Sequence, residues 1–260
     1  MKYQLLVSTM NQTDAKIADE MRIDSSAIII NQADRTTYDC ISNDHNKIDI
    51  YTFAERGVGL SRNSALMRAE AEIIEFADDD MIFVKNYEQL VVAEFEAHPE
   101  ADAIIFSIES LNPDRPCHHI NGFSRVRRLD ARKYGCARIA VRREKLLYHN
   151  IYFSLLFGGG TKYGAGEDTL FIKAMMDAGL KIYKSPIKVA DVKQDGSSWF
   201  NGYNEKYYFD KGALMAAMYP TLCGIVAVVM ACVHSKLHLR QFNYLFRTYR
   251  KGIKNYREKC

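Results

Sequence analysis

The chain predicts an α/β fold in which a mostly parallel sheet is flanked by helices. Three observations carry this. Short Ile- and Val-rich runs recur through the first half, several of them apolar on both faces, as strands covered from both sides must be. Segments rich in helix formers lie between these runs. The resulting alternation of β and α units implies right-handed crossovers and a layered α/β sandwich.

Taken in order, strands are expected at 3–9 (YQLLVST), 27–31 (AIIIN), 49–53 (DIYTF), 72–77 (EIIEFA) and 102–108 (DAIIFSI). Between them, 61–72 (SRNSALMRAEAE) starts on Ser and continues in good helix formers. The segment 86–98 opens on Asn86 with Gln89 three residues on, a cap-like start, and Pro99 stops it. Residues 110–135 are polar, basic and strewn with Pro, Gly and His, and read as a loop or lid. A strand is expected at 136–141 (CARIAV). The Gly-rich stretch FGGGTKYGAGED then leads into a helix over 168–178, whose Leu170, Phe171, Ala174, Met175 and Ala178 share one face and which Gly179 ends. KIYKSP and IKVADV are the last strand-like pieces.

The composition changes after that. Residues 213–233 carry no charge and are long enough to cross a bilayer, but Pro220 and Gly224 interrupt them. A broken helix, packed on the core or lying in a membrane interface, is the competing expectation. From Ser235 to Cys260 eight Lys/Arg stand against one acid, although the whole chain is only +3. That basic end mixes Leu, Phe and Tyr with its cations at helical spacing, the composition of an amphipathic helix on an anionic lipid surface rather than of a nucleic-acid binder. The expected domains are 1–200, divided near 108 into two halves (1–108 and 109–200), and a helical appendage at 201–260 that associates with membrane. The six cysteines form no CxxC pair or regular framework, and the apolar start is too short for a signal peptide. The expected location is therefore cytoplasmic, peripheral to the inner face of the cell membrane.

The chemistry concentrates at EFADDDMIF (75–83), where an apolar run ends on Asp78, Asp79 and Asp80. Three adjacent carboxylates repel, and burying them costs several kcal/mol unless positive charge or solvent compensates. Alternation along a strand sends Asp78 and Asp80 one way and Asp79 the other. The carboxyl edge of an α/β sheet is where such folds bind ligands. A hard cation such as Mg²⁺ typically uses one or two carboxylates plus phosphate oxygens. The triplet thus reads as half of a metal–diphosphate site, against the plain alternative of a solvated acidic turn.

Four segments, LLVSTMNQ (5–12), ERGVGLSRNSAL (55–66), EFADDDMIF (75–83) and GAGEDTLF (164–171), together and in this order resemble a bacterial family-two glycosyltransferase with the Rossmann-like GT-A fold, of the capsule, lipopolysaccharide or exopolysaccharide type. The segment FNGYNEKYYFDKGALMAAMYP also looks like the ends of such enzymes. The resemblance implies transfer of one sugar from a nucleotide-sugar, most simply UDP-linked, to a hydroxyl on a surface-glycan or lipid-linked acceptor, with inversion and with Mg²⁺ or Mn²⁺. It implies that Asp80 holds the metal, with Asp78 sharing it or facing the ribose and Asp79 beside them at the donor. Thr9, Asn11 and Asp34 would lie near the nucleoside, Arg62 would lean toward the nucleotide, and Asn63 would support its turn. Asp168 would be the general base, with Glu167 orienting a sugar; otherwise this pair is simply two acids stabilised at a helix N-terminus. The family often has a His after the last core strand, and none stands in 188–200; Gln194, Asp195 or water takes its place.

His119, Arg125, Tyr163 and Trp199 are the acceptor candidates. His118-His119 beside Cys117 makes a poor metal site, because adjacent imidazoles diverge and no fourth ligand is evident. Arg125, with Arg127 and Arg128, suits a phosphate on a lipid-linked acceptor, or is a solvated charge run. Tyr163 sits in the Gly-rich stretch, which lacks the GK[ST] ending of a phosphate loop and reads as a flexible acceptor loop. Trp199 either stacks on a sugar or plugs the core. A nucleotidyltransferase is the second functional class, although STMNQTD is no triphosphate loop. A non-catalytic membrane-associated subunit is the third. The oligomeric state stays open, a homo-oligomer included.

Overall fold

The computed structural model describes residues 1–128, 133–194, 202–236 and 238–258. The chain runs β1 (Tyr3–Met10), α1 (Ile17–Glu20), β2 (Ala27–Gln32), β3 (Thr37–Ser42), β4 (Lys47–Phe53), α2 (Val58–Arg68), β5 (Ile73–Asp78), β6 (Met81–Phe83), α3 (Tyr87–Ala97) and β7 (Ala103–Ser110). It continues through β8 (Ser124–Arg125), β9 (Ile139–Arg142), α4 (Arg143–Tyr148), α5 (Glu167–Asp177), β10 (Ile182–Val192), α6 (Glu205–Met218), α7 (Cys223–Ser235) and α8 (Leu239–Arg257).

These strands form one sheet in the order β3-β4-β2-β1-β5-β9-β7-β10-β6, with β8 added to β10. β4, β2, β1 and β5 are mutually parallel, as are β7 and β10, whereas β9 enters antiparallel between β5 and β7. The period-two pattern explains the layers. Leu6, Ile28, Ile30, Ile74 and Phe76 face one core with α2 and α5, which supply Ala65, Leu66, Phe171 and Met175. Leu5, Val7, Ile29, Ile73 and Ala77 face the other core with α1 and α3, which supply Ile17, Val91 and Phe95. Each such side chain fully buried contributes about 1.5–3 kcal/mol, so the apolar runs hold the edge at which they all end.

Several elements differ from the sequence expectation. β3 is a fully exposed edge strand, so its residues carry no apolar alternation to reveal it. α2 begins at Val58 rather than Ser61, because Gly57 takes φ 128° and releases the Val58 N–H to the Gly159 carbonyl at 3.0 Å. The two late strand-like pieces are the single long β10, which shifts register against β7 between Lys184 and Ala190. The expected strand at 136–141 forms only from Ile139.

Pro220 falls in the break between α6 and α7, as the interrupted apolar stretch predicts. Among the described residues no helix is long and apolar enough to cross a membrane. α8 is amphipathic, but its apolar face is already covered. Leu245, Tyr249 and Ile253 are buried with Met215, Ala216, Cys223, Ala227 and Ala231 of α6 and α7. Two glycines let α6 and α8 touch backbone to backbone: a Cβ on Gly212 would lie 2.2 Å from the Tyr249 carbonyl oxygen, and one on Gly252 2.0 Å from that of Phe209. The expectation that α8 lays this face on lipid is thereby corrected.

One buried acid makes stability pH-dependent. Glu75 on β5 is completely enclosed; Tyr3 Oη donates to its Oε2 at 2.6 Å, and Oε1 has no partner. Burial pushes its carboxyl up to about 7, against a smaller opposing effect of the Tyr3 hydrogen bond. The folded chain therefore holds a proton that the unfolded chain releases at ordinary carboxylate pH. Stability from this group is intact at pH 4, falls as pH rises toward 7, and is flat above. Glu75→Gln keeps the Tyr3 bond and removes the charge. It is expected to gain about 1–2 kcal/mol at pH 8, where the removed charge outweighs the cost of its buried amide, and to lose about 1–2 kcal/mol at pH 4.5, where only that cost remains. Urea unfolding at the two pH values measures this; an equal effect at both overturns it.

Candidate active site

β1 is flanked by β2 on one side and β5 on the other, so the chain's winding reverses between β1 and β5. A crevice outside the carboxyl ends of strands at such a reversal is the usual ligand position in this class of sheet. Thr9 is the next-to-last residue of β1 and Asp78 the last of β5, and a cavity of about 410 Å³ opens there. Its wall includes Ser8, Thr9, Gln32, Arg62, the three aspartates, Glu167 and Asp168. A second cavity, about 340 Å³, shares Asp78, Asp80 and Gln194 with the first.

Each aspartate meets its charge problem differently. Asp78 Oδ1 accepts from Arg62 Nη2 at 2.8 Å. Asp79 Oδ2 accepts from Thr9 Oγ1 at 2.5 Å, across the reversal itself. Burial raises the Asp79 carboxyl, Thr9 works against that, and Asp78 adds to it. Among the described residues, no cation pairs with Asp80. Burial, and then the charges of Asp78 and Asp79, push its carboxyl up to about 6. Asp78 and Asp80 both line the second cavity and Asp79 does not; β5 ends at Asp78, so a turn over Asp79 and Asp80, and not the strand alternation expected, sets these directions.

The opposite wall is the start of α5. Gly166 precedes it at φ 123°, Gly166 N–H donates to Glu167 Oε2 at 3.0 Å, and a Cβ on Gly158 would meet that same oxygen at 2.9 Å. Glu167 is thus wedged under the glycine-rich loop. Burial, then the Asp168 charge, push its carboxyl up to about 7, against the pull of Arg62. Arg62, buried on α2, joins the two walls. Its Nη1 donates to Asp168 Oδ1 at 2.6 Å and lies 3.6 Å from Glu167 Oε1. Burial opposes its charge, but Asp78 and Asp168 outweigh that and hold the guanidinium firmly protonated. Its Nε has no partner.

The loop after β1 is fixed to β2. Asn31 Oδ1 accepts from Gln12 N at 3.0 Å while Asn31 Nδ2 donates to the Gln12 carbonyl at 2.9 Å, and Gln12 Nε2 donates to Thr9 Oγ1. Asn11 lies outside this cavity wall on an exposed rim, with Arg56 on its Oδ1 at 3.3 Å, and Asp34 is likewise exposed and outside the wall.

The acceptor candidates fare differently. Tyr163 is corrected from acceptor contact to structural anchor. It is 1% exposed, packs against Phe157, Phe209 and Tyr256, and donates to Asn255 Oδ1 of α8 at 3.0 Å. Its aromatic ring won a place in the core over a place in the loop's surface. Arg125 is also corrected: it pairs with Tyr183 near the start of β10, the opposite sheet edge from Asp80. His119 is exposed and lines neither cavity; its neighbour His118 lines the second. Trp199 and Asp195 lie outside the described residues. Gln194, at φ 50°, stands where the sequence anticipated a substitute for the missing His. Arg115 and Arg138 were missed; the only sequence signal for Arg138 is a cation inside the apolar run CARIAV.

No protein-family model and no curated protein matches the sequence. Solved structures do. S. aureus TarS (residues 1–349) in complex with UDP-GlcNAc superposes with a TM-score of 0.65 at 15% identity, over 100% of this chain and 92% of that one. The same protein in complex with UDP superposes with a TM-score of 0.61 at 16% identity. The fold is GT-A. At this identity the likeness is one of architecture: the mixed, mostly parallel sheet and its flanking helices agree with the sequence expectation over the whole chain.

Proposed function

We propose that the chain is a glycosyltransferase that moves one sugar from a nucleotide-sugar, UDP-linked in the simplest case, to a hydroxyl of a surface-glycan or lipid-linked acceptor. The observation that carries this is Arg62. It draws the aspartate triplet and the Glu167–Asp168 pair into one cleft at the winding reversal, on a fold shared with a protein solved with UDP-GlcNAc. Ser8, Thr9 and Gln32 line the end suited to the nucleoside. Asp168, the more open of the two α5 acids, receives the acceptor proton, and transfer is with inversion. Glu167, held under the loop, positions it.

Mg²⁺ or Mn²⁺ fits Asp80. That carboxylate is largely buried and uncompensated, and among the described residues no cluster of three or more acids, His or Cys stands ready to hold a metal. One or two carboxylates plus donor phosphates suffice for such an ion, which Asp80, with Asp78, would hold. When bound, the cation supplies positive charge to the departing diphosphate.

Thermal shifts with UDP, UDP-GlcNAc and UTP, each with and without Mn²⁺, test the reading through ligand linkage. UDP and UDP-GlcNAc are expected to stabilise the chain in a Mn²⁺-dependent manner, and Asp80→Asn to remove the dependence. Stabilisation by UTP alone favours a nucleotidyltransferase, and by no nucleotide a non-catalytic subunit.

Peripheral attachment to an anionic membrane belongs to the same reading, but through a different face. Leu222, Ile225, Val229 and Val233 form an exposed apolar stripe around α7, while Arg240, Arg247, Arg250 and Lys254 stand exposed on neighbouring α8. Ile225→Asp with Val229→Asp is expected to release the protein from phosphatidylserine-containing vesicles at least tenfold without changing UDP binding. Unchanged co-sedimentation removes this surface as the anchor.

A further inference from the structure

The second cavity holds an uncompensated cation. Arg138 immediately precedes β9, at the sheet edge that carries the aspartates, and is 4% exposed. It forms no ion pair with any described residue; its guanidinium rests over the Tyr134 ring at 5.1 Å, and Nη1 is buried without a partner. Burial draws its proton affinity down, and the only groups opposing this are Cys117 and Tyr134, neither a carboxylate. A guanidinium stays charged in proteins, and a buried charge with no counterion is strongly destabilising. Arg62 on α2 shows the ordinary solution, three acids around one guanidinium. Arg138 lacks it, and lines a cavity of about 340 Å³, within the range of small-molecule sites.

The cavity's position says what enters. It begins at Asp78 and Asp80, and its Gly135 wall abuts the general base: a Cβ there would lie 3.2 Å from Asp168 Oδ2. A sugar seated in it is therefore next to the transfer point, beyond the nucleoside end of the first cavity. Besides Arg138 and the two aspartates, the wall carries the polar side chains of His118, Lys133 and Gln194. We propose that this cavity is a subsite for a sugar unit bearing an oxyanion, a carboxylate or a phosphate, with Arg138 as its counter-charge. The proposal rests on the nucleotide-sugar reading of the first cavity. The oxyanion belongs either to the transferred sugar or to the acceptor sugar, and the two are separable.

Titrations with Mn²⁺ present would compare UDP, UDP-glucose and UDP-glucuronate. Ligand-observed NMR would compare glucose, glucuronate and glucose 6-phosphate, with and without UDP. A preference of at least tenfold for UDP-glucuronate over UDP-glucose assigns the anion to the donor. The same preference for glucuronate or glucose 6-phosphate over glucose assigns it to the acceptor. Arg138→Met is expected to reduce either preference to about one while leaving UDP affinity within twofold, and Arg138→Lys to retain part of it. Absence of any anion preference in the unaltered protein overturns the proposal, whether or not the variant folds. So does a tenfold loss of UDP affinity in Arg138→Met, which would place the guanidinium on the donor diphosphate. Failure of UDP and both UDP-sugars to bind sinks the nucleotide reading instead, and the free sugars then still decide the subsite.

Discussion

Asp168→Asn is expected to lower the rate of sugar transfer by about 10³-fold while leaving UDP affinity within about twofold, in the range a positioned general base contributes. Asparagine keeps an oxygen to accept from Arg62 Nη1, now 2.6 Å from Asp168 Oδ1, so the bridge between the cleft walls survives. What it loses is the ability to accept a proton. Glu167 is the competing base, since its carboxyl is pushed up to about 7 and is thus poised near neutrality. Geometry decides against it. Its Oε2 is occupied by the Gly166 N–H and crowded by Gly158, and it is less exposed than Asp168, 13% against 29%. Glu167→Gln should consequently cost about tenfold or less, chiefly by loosening the loop. Single-turnover rates with a donor identified by binding measure both. If Glu167→Gln is the silent enzyme and Asp168→Asn is not, the roles are exchanged.

Much of this architecture was legible because it follows from local rules. The apolar runs from Tyr3, Ala27 and Ile73 could only be covered strands, and their shared carboxyl edge places Thr9 and the aspartates together without further information. What escaped was decided by contacts far apart in sequence. β3 has no buried face and is a strand only because β4 offers an edge. Tyr163 looked like a loop residue because its partners, Phe209, Asn255 and Tyr256, lie 46 to 93 positions later. α8 has the pattern of a lipid-facing helix, and that same pattern serves a helix packed on α6; Gly212 and Gly252 distinguish the two only once their close approach is known. The aspartate triplet could be read as needing positive charge, but not that a guanidinium from α2 would answer Asp78, a threonine hydroxyl Asp79, and, among the described residues, no cation Asp80.

That division makes Arg62 the residue whose loss should be felt most widely. Arg62→Met is nearly isosteric along the stem but removes the one cation that, among the described residues, pairs with Asp78, Glu167 and Asp168. Removing one partner from a buried ionic network typically costs about 3–5 kcal/mol, because the remaining charges are left without compensation. In a cleft already holding Asp79 and Asp80, the chain is expected to answer by taking up protons. The stability deficit should then be larger at pH 8 than at pH 5, because Glu167 and Asp80, whose carboxyls are pushed up to about 7 and about 6, are protonated at the lower pH and leave less charge to compensate. Transfer should fall at least a hundredfold at every pH, since the two walls no longer share a tie. Arg62→Lys is expected to recover less than half of the stability, because one ammonium cannot replace a planar fork that gives Nη2 to Asp78 and Nη1 to Asp168 at once. Urea denaturation at pH 5 and pH 8, with transfer assayed alongside, tests both expectations. A deficit independent of pH means that Arg62 matters through its packing against Phe153, 5.2 Å from its guanidinium, rather than through its charge.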